Sequence, residues 1–228
     1  MGKIKLWFIA SIGLFIAAMA LSSAITDDHY LMLSIVLLFV TMIPFFARFE
    51  RRKIEAREIV ILAVLAAIAA ISRVPFAPLP SVQPTSFVII IAAIVFGAES
   101  GFIIGAIAAV VSNIFLGQGP WTPWQMFCWG MIGASAGWLR HTWLIKTKTG
   151  LLIFGFGWGF LFGWIMNIWF IIGLPDALSW NLIFVAYIQS FYFDLAHALS
   201  NVFFLAVFGS SWIAILQRFK RKYGLLES

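Results

Sequence analysis

The chain has 228 residues, of which 63% are hydrophobic and only 11% are charged. A soluble domain of this length cannot bury so much apolar surface, so the composition predicts an all-α polytopic membrane protein. The apolar runs are long and continuous rather than alternating, which excludes a transmembrane β-barrel. The net charge of +6 comes from basic clusters beside apolar spans, which favours contact with the lipid bilayer over nucleic-acid binding.

Two apolar spans open the chain, at about residues 6–25 and 30–47, and predict a transmembrane hairpin within residues 1–50. The first of these spans follows Lys3 and Lys5 and ends in small residues. That pattern also fits a cleaved signal peptide, so both interpretations stay open.

A charged linker separates this hairpin from a predicted six-span membrane domain at residues 57–216, which is followed by a basic cytoplasmic tail at 217–228. Several of the six spans are shorter than the ~20 residues of a perpendicular crossing. Their predicted bounds are 59–74, 85–97, 100–116, 123–139, 151–173 and about 188–214.

Basic residues lie in every second gap between the spans, which the positive-inside rule assigns to the cytoplasm. This places the N-terminus and the loop at 140–150 inside the cell. Arg73 is the one basic residue on the outer side. The cytoplasmic set is Lys3, Lys5, Arg48, Arg51, Arg52, Lys53, Arg57, Arg140, Lys146, Lys148, Arg218, Lys220, Arg221 and Lys222.

Polar residues enter three of the spans, and the predicted topology places Asn113, Asn167, Asp194 and His197 together in the outer half of the membrane. Ionisable residues at such depth indicate a cavity, a proton relay or a partner. Hydrogen bonds between packed helices explain them as well. Arg73 is the cation expected to neutralise Asp194.

Two outer loops complete this predicted site. The loop at 75–84 has four prolines, which fix φ and disfavour helix, so we expect it to be extended and stiff. The loop at 117–124 combines glycine, proline and tryptophan beside glutamine. Stiff loops above a polar cavity suit a preformed small-molecule site. The candidate substrate-binding residues are Arg73, Gln83, Asn113, Gln118, Trp121, Trp124, Asn167, Asp194 and His197.

Small residues recur at four-residue spacing along the first of the six spans, as the pairs Ala63/Ala67 and Ala66/Ala70. Such pairs let another helix approach closely. The spacing alone does not distinguish packing inside the protein from a landing surface for a partner.

Signatures of several chemistries are missing from the sequence. It has no phosphate-binding loop, no zinc signature and no nucleophile elbow. Cys128 is the single cysteine, which excludes an intrachain disulfide or a thiolate metal cluster. We therefore expect no metal, no cofactor and no enzymatic activity, and any energy must come from a partner protein or an ion gradient.

The alanine pairs, the proline-rich first outer loop, the turn at Phe96-Gly97 before a glycine-rich helix, and the segment 194–201 together resemble the S components of energy-coupling factor (ECF) vitamin transporters. The resemblance covers about residues 57–215 and implies a six-helix bundle, which the N-terminal hairpin precedes. The segment 118–126 is most similar to the branch assigned to cobalamin uptake, some of whose members carried queuosine-precursor labels.

The resemblance implies a substrate-binding subunit of an ABC importer in the cell membrane. Such a subunit captures a vitamin-type small molecule from outside, here cobalamin as the first expectation. It docks on a membrane coupling (T) component through Ala63 and Ala67, or Ala66 and Ala70, and two ABC ATPases drive release inside. The loop around Gln83 would gate the site.

Two other functions stay open at this point. A secondary transporter could work alone on an ion gradient, although inverted repeats and broken helices are not evident. An intramembrane enzyme could use Asp194 and His197 as an acid–base pair, although no nucleophile or metal set accompanies them.

Overall fold

The computed structural model of the protein describes residues 30–50, 55–172 and 179–225. Within these ranges the chain forms helices joined by turns and no strand, which confirms the predicted all-α class. The first predicted span and the signal-peptide question lie outside the described residues. The helices are α1 (Tyr30–Glu50), α2 (Ala56–Ile71), α3 (Thr85–Phe96), α4 (Ala98–Leu116), α5 (Thr122–Leu139), α6 (Trp143–Lys146), α7 (Lys148–Ile172) and α8 (Trp180–Tyr223).

Four of the described helical segments are long and apolar enough to cross a membrane. They are Ala56–Phe76, Ala98–Leu116, Lys148–Ile172 and Trp180–Tyr223. Together with the shorter apolar helices they confirm a polytopic membrane protein.

Helix α3 is the centre of the bundle. Each of its 12 residues except Ile94 is buried, and α2, α4, α5 and α8 all pack against it. Its central position follows from these neighbours and this burial, because an all-apolar helix in a membrane could equally face lipid. Gly97, with φ of 96°, ends α3 and starts α4 at once. That backbone conformation suits glycine, which has no Cβ to clash.

Glycines bring two helix pairs into close contact. A Cβ on Gly133 of α5 would overlap the backbone of Gly101 in α4, and a Cβ on Gly159 of α7 would overlap the backbone of Ala198 in α8. These glycines therefore let neighbouring helices pack closely within the fold, as small residues commonly do in membrane bundles.

Helix α1 packs against α4 and α5. Leu38, Met42 and Phe45 are buried there, and the Phe45 ring stacks on that of Phe102 with centroids 4.1 Å apart. Arg48 extends this contact through an ion pair of 2.6 Å to Glu99. The second helix of the predicted hairpin thus forms part of the buried core.

The last helix differs from its predicted bounds. It begins at Trp180 rather than near 188, where the Ser179 hydroxyl accepts a hydrogen bond from the Leu182 N–H. It continues for 44 residues to Tyr223, through much of the predicted tail. Lys220 Nζ donates to the carbonyl of Val95 at 3.2 Å. The basic end of the chain therefore contacts the end of α3, where a cation is favourable.

The proline-rich loop is not extended throughout. Val74–Phe76 form a 3₁₀ turn, and further turns follow up to Ser81, which has a φ of 59°. Pro75 is compatible with this turn because the first helical positions need no backbone N–H donor. The extended backbone predicted for 75–84 is therefore wrong for residues 75–81.

Candidate functional site

A group of polar side chains surrounds Arg73 where α2 and α4 end and α3 and α5 begin. Arg73 Nε donates to Gln83 Oε1 at 2.9 Å, and Nη1 donates to Ser112 Oγ at 2.6 Å and to Asn113 Oδ1 at 3.0 Å. The guanidinium also lies 4.6 Å above the ring of Trp129. The cation is therefore stabilised by neutral acceptors and an aromatic face.

Asn113 extends this hydrogen-bond network to α5. Its Nδ2 donates to Thr122 Oγ1 at 3.0 Å and to Gln125 Oε1 at 2.7 Å. Only 2% of Asn113 is exposed, so its amide links the two helices from inside the bundle. We call the connected side chains the Arg73 cluster: Arg73, Gln83, Ser112, Asn113, Thr122 and Gln125.

Gln118, another predicted site residue, supports the loop beside this cluster. Its Nε2 donates to the carbonyl of Val110 at 2.8 Å, and its Oε1 accepts from Thr122 Oγ1 at 2.9 Å. Both ends of the amide are used within the protein. Gln118 thus holds the turn between α4 and α5.

The loop that carries Gln83 is tied to the last helix. The Gln83 N–H donates to Ser200 Oγ at 3.0 Å, and Ser200 Oγ lies 3.1 Å from the Gln83 carbonyl to which it donates. Gln83 therefore joins α8 through its backbone and Arg73 through its side chain.

His197 lies next to the Arg73 cluster rather than in it. Its Nε2 is 2.8 Å from Ser86 Oγ, which also accepts from Trp129 Nε1 at 3.2 Å. His197 is 3% exposed and packs edge-on against the ring of Phe162. Trp129 connects this group to Arg73, since the guanidinium lies over its ring.

Asn167 and Asp194 meet elsewhere, between α7 and α8. Asn167 Nδ2 donates to Ser190 Oγ at 2.7 Å, and Ser190 Oγ donates to Asp194 Oδ2 at 3.0 Å. A Cβ on Gly163 would overlap the Asp194 carboxylate. We call this contact the α7–α8 seam: Gly155, Gly159, Gly163 and Asn167 facing Ser190, Asp194, Ala198 and Asn201.

The predicted neutralisation of Asp194 by Arg73 is wrong. Across the described ranges, Asp194 bonds to Ser190 and forms no ion pair with Arg73, whose partners are neutral. Asp194 and His197 also have separate partners, although they are three residues apart. Three residues rotate a helix by about 300°, so the two side chains diverge by about 60° and face different helices.

The two predicted tryptophans have different surroundings. Trp124 is fully buried among the residues that α1 packs against. Trp121 is partly exposed, and its ring meets that of Trp169 edge-on at 5.9 Å between centroids. Of the two, only Trp121 therefore lies at the surface of the loop at 117–124.

Sequence reasoning missed several members of these networks. Ser86, Ser112, Thr122 and Ser190 have weak signals, because a hydroxyl in a helix can bond to its own backbone. Ser112 does so while it accepts from Arg73, since its Oγ donates to the Ala109 carbonyl at 3.1 Å. Gln125 had a signal in its position, because it directly follows the proline-tryptophan loop at 117–124.

The structure separates the two alanine pairs of α2. Ala66 and Ala70 are fully buried in the core, whereas Ala63 is exposed and Ala67 is half-buried. Exposed Val60 and other apolar residues flank Ala63. Of the two pairs, only Ala63/Ala67 remains accessible to a partner helix.

Comparison with known proteins gives one match. Residues 53–217 match the family described as the ECF-type riboflavin transporter, S component. No curated protein and no solved structure matches the chain. The matched stretch runs from before α2 into the last part of α8 and leaves α1 outside. Because it spans well over half of the chain, the protein belongs to this family of S components, the substrate-specific membrane subunits of ECF transporters rather than enzymes.

Proposed function

We propose that this protein captures riboflavin at the outer face of the cell membrane and delivers it to a coupling module of a T component and two ABC ATPases. The observation that carries the proposal is the family match over residues 53–217. The Arg73 cluster supports it, since it gathers polar side chains at the end of the bundle that the basic loops assign to the outside.

Riboflavin takes precedence over cobalamin in this proposal. The resemblance of segment 118–126 to the cobalamin branch is local, and the cobalamin expectation is not confirmed. The family that matches most of the chain is named for riboflavin. Cobalamin therefore stays as a second candidate, and a queuosine precursor as a third.

Binding to the purified full chain in mild detergent tests the substrate. We expect riboflavin to bind saturably, with heat in calorimetry and with quenching of its fluorescence by nearby tryptophan. Cobalamin and queuine are titrated in parallel. Saturable cobalamin or queuine binding without a riboflavin signal would reassign the substrate.

Uptake in cells tests the mechanism. The S component of an ECF transporter binds its substrate alone but needs the T component and the ATPases for transport. We expect riboflavin accumulation only when all partners are co-expressed. Gradient-driven uptake by the isolated chain in liposomes would show a stand-alone secondary transporter instead.

We further propose that the T component docks on the exposed face of α2 at Ala63 and Ala67. Small side chains there let a partner helix approach closely. We expect Ala63→Trp to keep riboflavin binding and abolish uptake. Ala66→Trp is the contrasting variant, because Ala66 is fully buried and a large side chain should lower the folded yield. Normal uptake by both Ala63→Trp and Ala67→Trp would exclude this docking face.

A further inference from the structure

The guanidinium of Arg73 determines how its neighbouring amides are oriented. Arginine has hydrogen-bond donors and no acceptor. Gln83 and Asn113 must therefore turn their oxygens toward it, which leaves their nitrogens on the far side. The Asn113 nitrogen in turn meets Gln125, so Gln125 must present its oxygen as well. One cation thus aligns three amides.

This alignment leaves several hydrogen-bond donors of the cluster unused. Both N–H groups of the Asn113 amide are taken, since its nitrogen donates to Thr122 and Gln125, while its oxygen accepts from Arg73. Among the described residues, Arg73 Nη2, Gln83 Nε2 and Gln125 Nε2 have no hydrogen-bond partner. All three are donors, and their residues are partly exposed.

The charge of the cluster also favours a ligand with acceptor atoms. No carboxylate in the described chain pairs with Arg73, and its acceptors are a hydroxyl and two amide oxygens. An uncompensated cation near the membrane interior is unfavourable. A ligand that brings electron-rich acceptor atoms would offset this cost and use the free donors.

We propose that the Arg73 cluster binds the carbonyl-bearing edge of the substrate through Arg73 Nη2, Gln83 Nε2 and Gln125 Nε2. The inference rests on the proposed function. In riboflavin that edge is the pyrimidinedione, whose two carbonyl oxygens and neighbouring ring nitrogens accept hydrogen bonds and whose N3–H, between the carbonyls, donates one to an amide oxygen of the cluster that has a second lone pair. The ring end of riboflavin therefore occupies the cluster, and the ribityl chain, whose hydroxyls both donate and accept, lies away from it.

Gln83→Glu and Gln125→Glu test the inference with little change of shape. Each substitution keeps an oxygen that accepts from Arg73 or Asn113, replaces the free donors by a second acceptor oxygen and adds a negative charge, which the control variant below adds as well. We expect each variant to bind riboflavin about 10-fold more weakly, or worse, by calorimetry. Gln217→Glu is the matched control, because Gln217 is exposed near the C-terminal end of α8, away from the Arg73 cluster. It should change the affinity for riboflavin by less than about twofold.

Thio analogues test the same contact in the native protein, without any substitution. Sulfur in 2-thioriboflavin or 4-thioriboflavin is a weaker acceptor than a carbonyl oxygen. We expect one of them to bind about fivefold more weakly than riboflavin, and the difference to shrink in Gln83→Glu or Gln125→Glu.

The outcomes separate the two proposals. Tight riboflavin binding that is unchanged in both Gln→Glu variants and for both thio analogues would overturn this inference and leave the proposed function in place. A native protein that does not bind riboflavin would overturn both.

Discussion

The Arg73 cluster and the α7–α8 seam both place polar side chains inside an apolar bundle, but they use them differently. In the cluster, side chains bond to side chains from four different segments and leave donors unused at partly exposed residues. In the seam, glycine gives the facing helix room, and Asn201 donates to the Gly155 carbonyl at 2.9 Å.

The difference shows that a polar residue in the membrane is not by itself a sign of a ligand. Asn113 and Asn167 both lie near the C-terminal ends of their helices, yet Asn113 organises the cluster and Asn167 bonds one helix to the next. Within the described ranges, the two regions differ in the kind of group left without a partner: partly exposed donors of Arg73, Gln83 and Gln125 in the cluster, and the buried acceptor Asn201 Oδ1 in the seam.

The largest effect is expected from the seam. Gly159→Leu would drive a side chain into the backbone of Ala198, which cannot rotate away, so we expect a loss of about 3 kcal/mol or more, or no folded protein. Gly157→Leu is the matched control, because a Cβ there meets nothing within 4 Å. Thermal unfolding in detergent measures both, and equal midpoints would contradict close packing at Gly159.

The next effect separates the two asparagines. Asn113→Leu leaves Arg73 without one acceptor and frees Gln125, so we expect riboflavin affinity to fall about 100-fold. Asn167→Leu removes a hydrogen bond of the seam and should change affinity by less than about fivefold while lowering the unfolding temperature. Calorimetry measures the affinity of both variants for riboflavin. A larger loss of affinity in Asn167→Leu would place the ligand in the seam.

The smallest effect is the coupling between the two regions. Arg73 and Asp194 share no hydrogen-bond partner, so their changes in stability should add. We expect Arg73→Gln, Asp194→Asn and the double variant to show a coupling below about 0.5 kcal/mol in unfolding free energy. Rescue of Arg73→Gln by Asp194→Asn would instead reveal an ion pair between them.

Much of the fold followed from sequence because bilayer constraints act locally. Seven predicted spans, from 30–47 onward, each correspond to a helix of the structure, since an apolar run in lipid must satisfy its backbone internally. The start of α8 was missed by about two turns. Segment 180–187 is mostly apolar, but its helix begins at the Ser179 cap, which the predicted span did not include.

The amino-acid sequence by itself determined which residues are polar and at which end of the bundle they lie. It also determined the family to which the protein belongs. Only the tertiary structure decided that Arg73 bonds to Gln83, Ser112 and Asn113 and forms no ion pair with Asp194. It also decided which alanine pair of α2 stays exposed. The reason is rotational: helix spacing groups residues into faces, but the face that meets each neighbour depends on how all the helices pack.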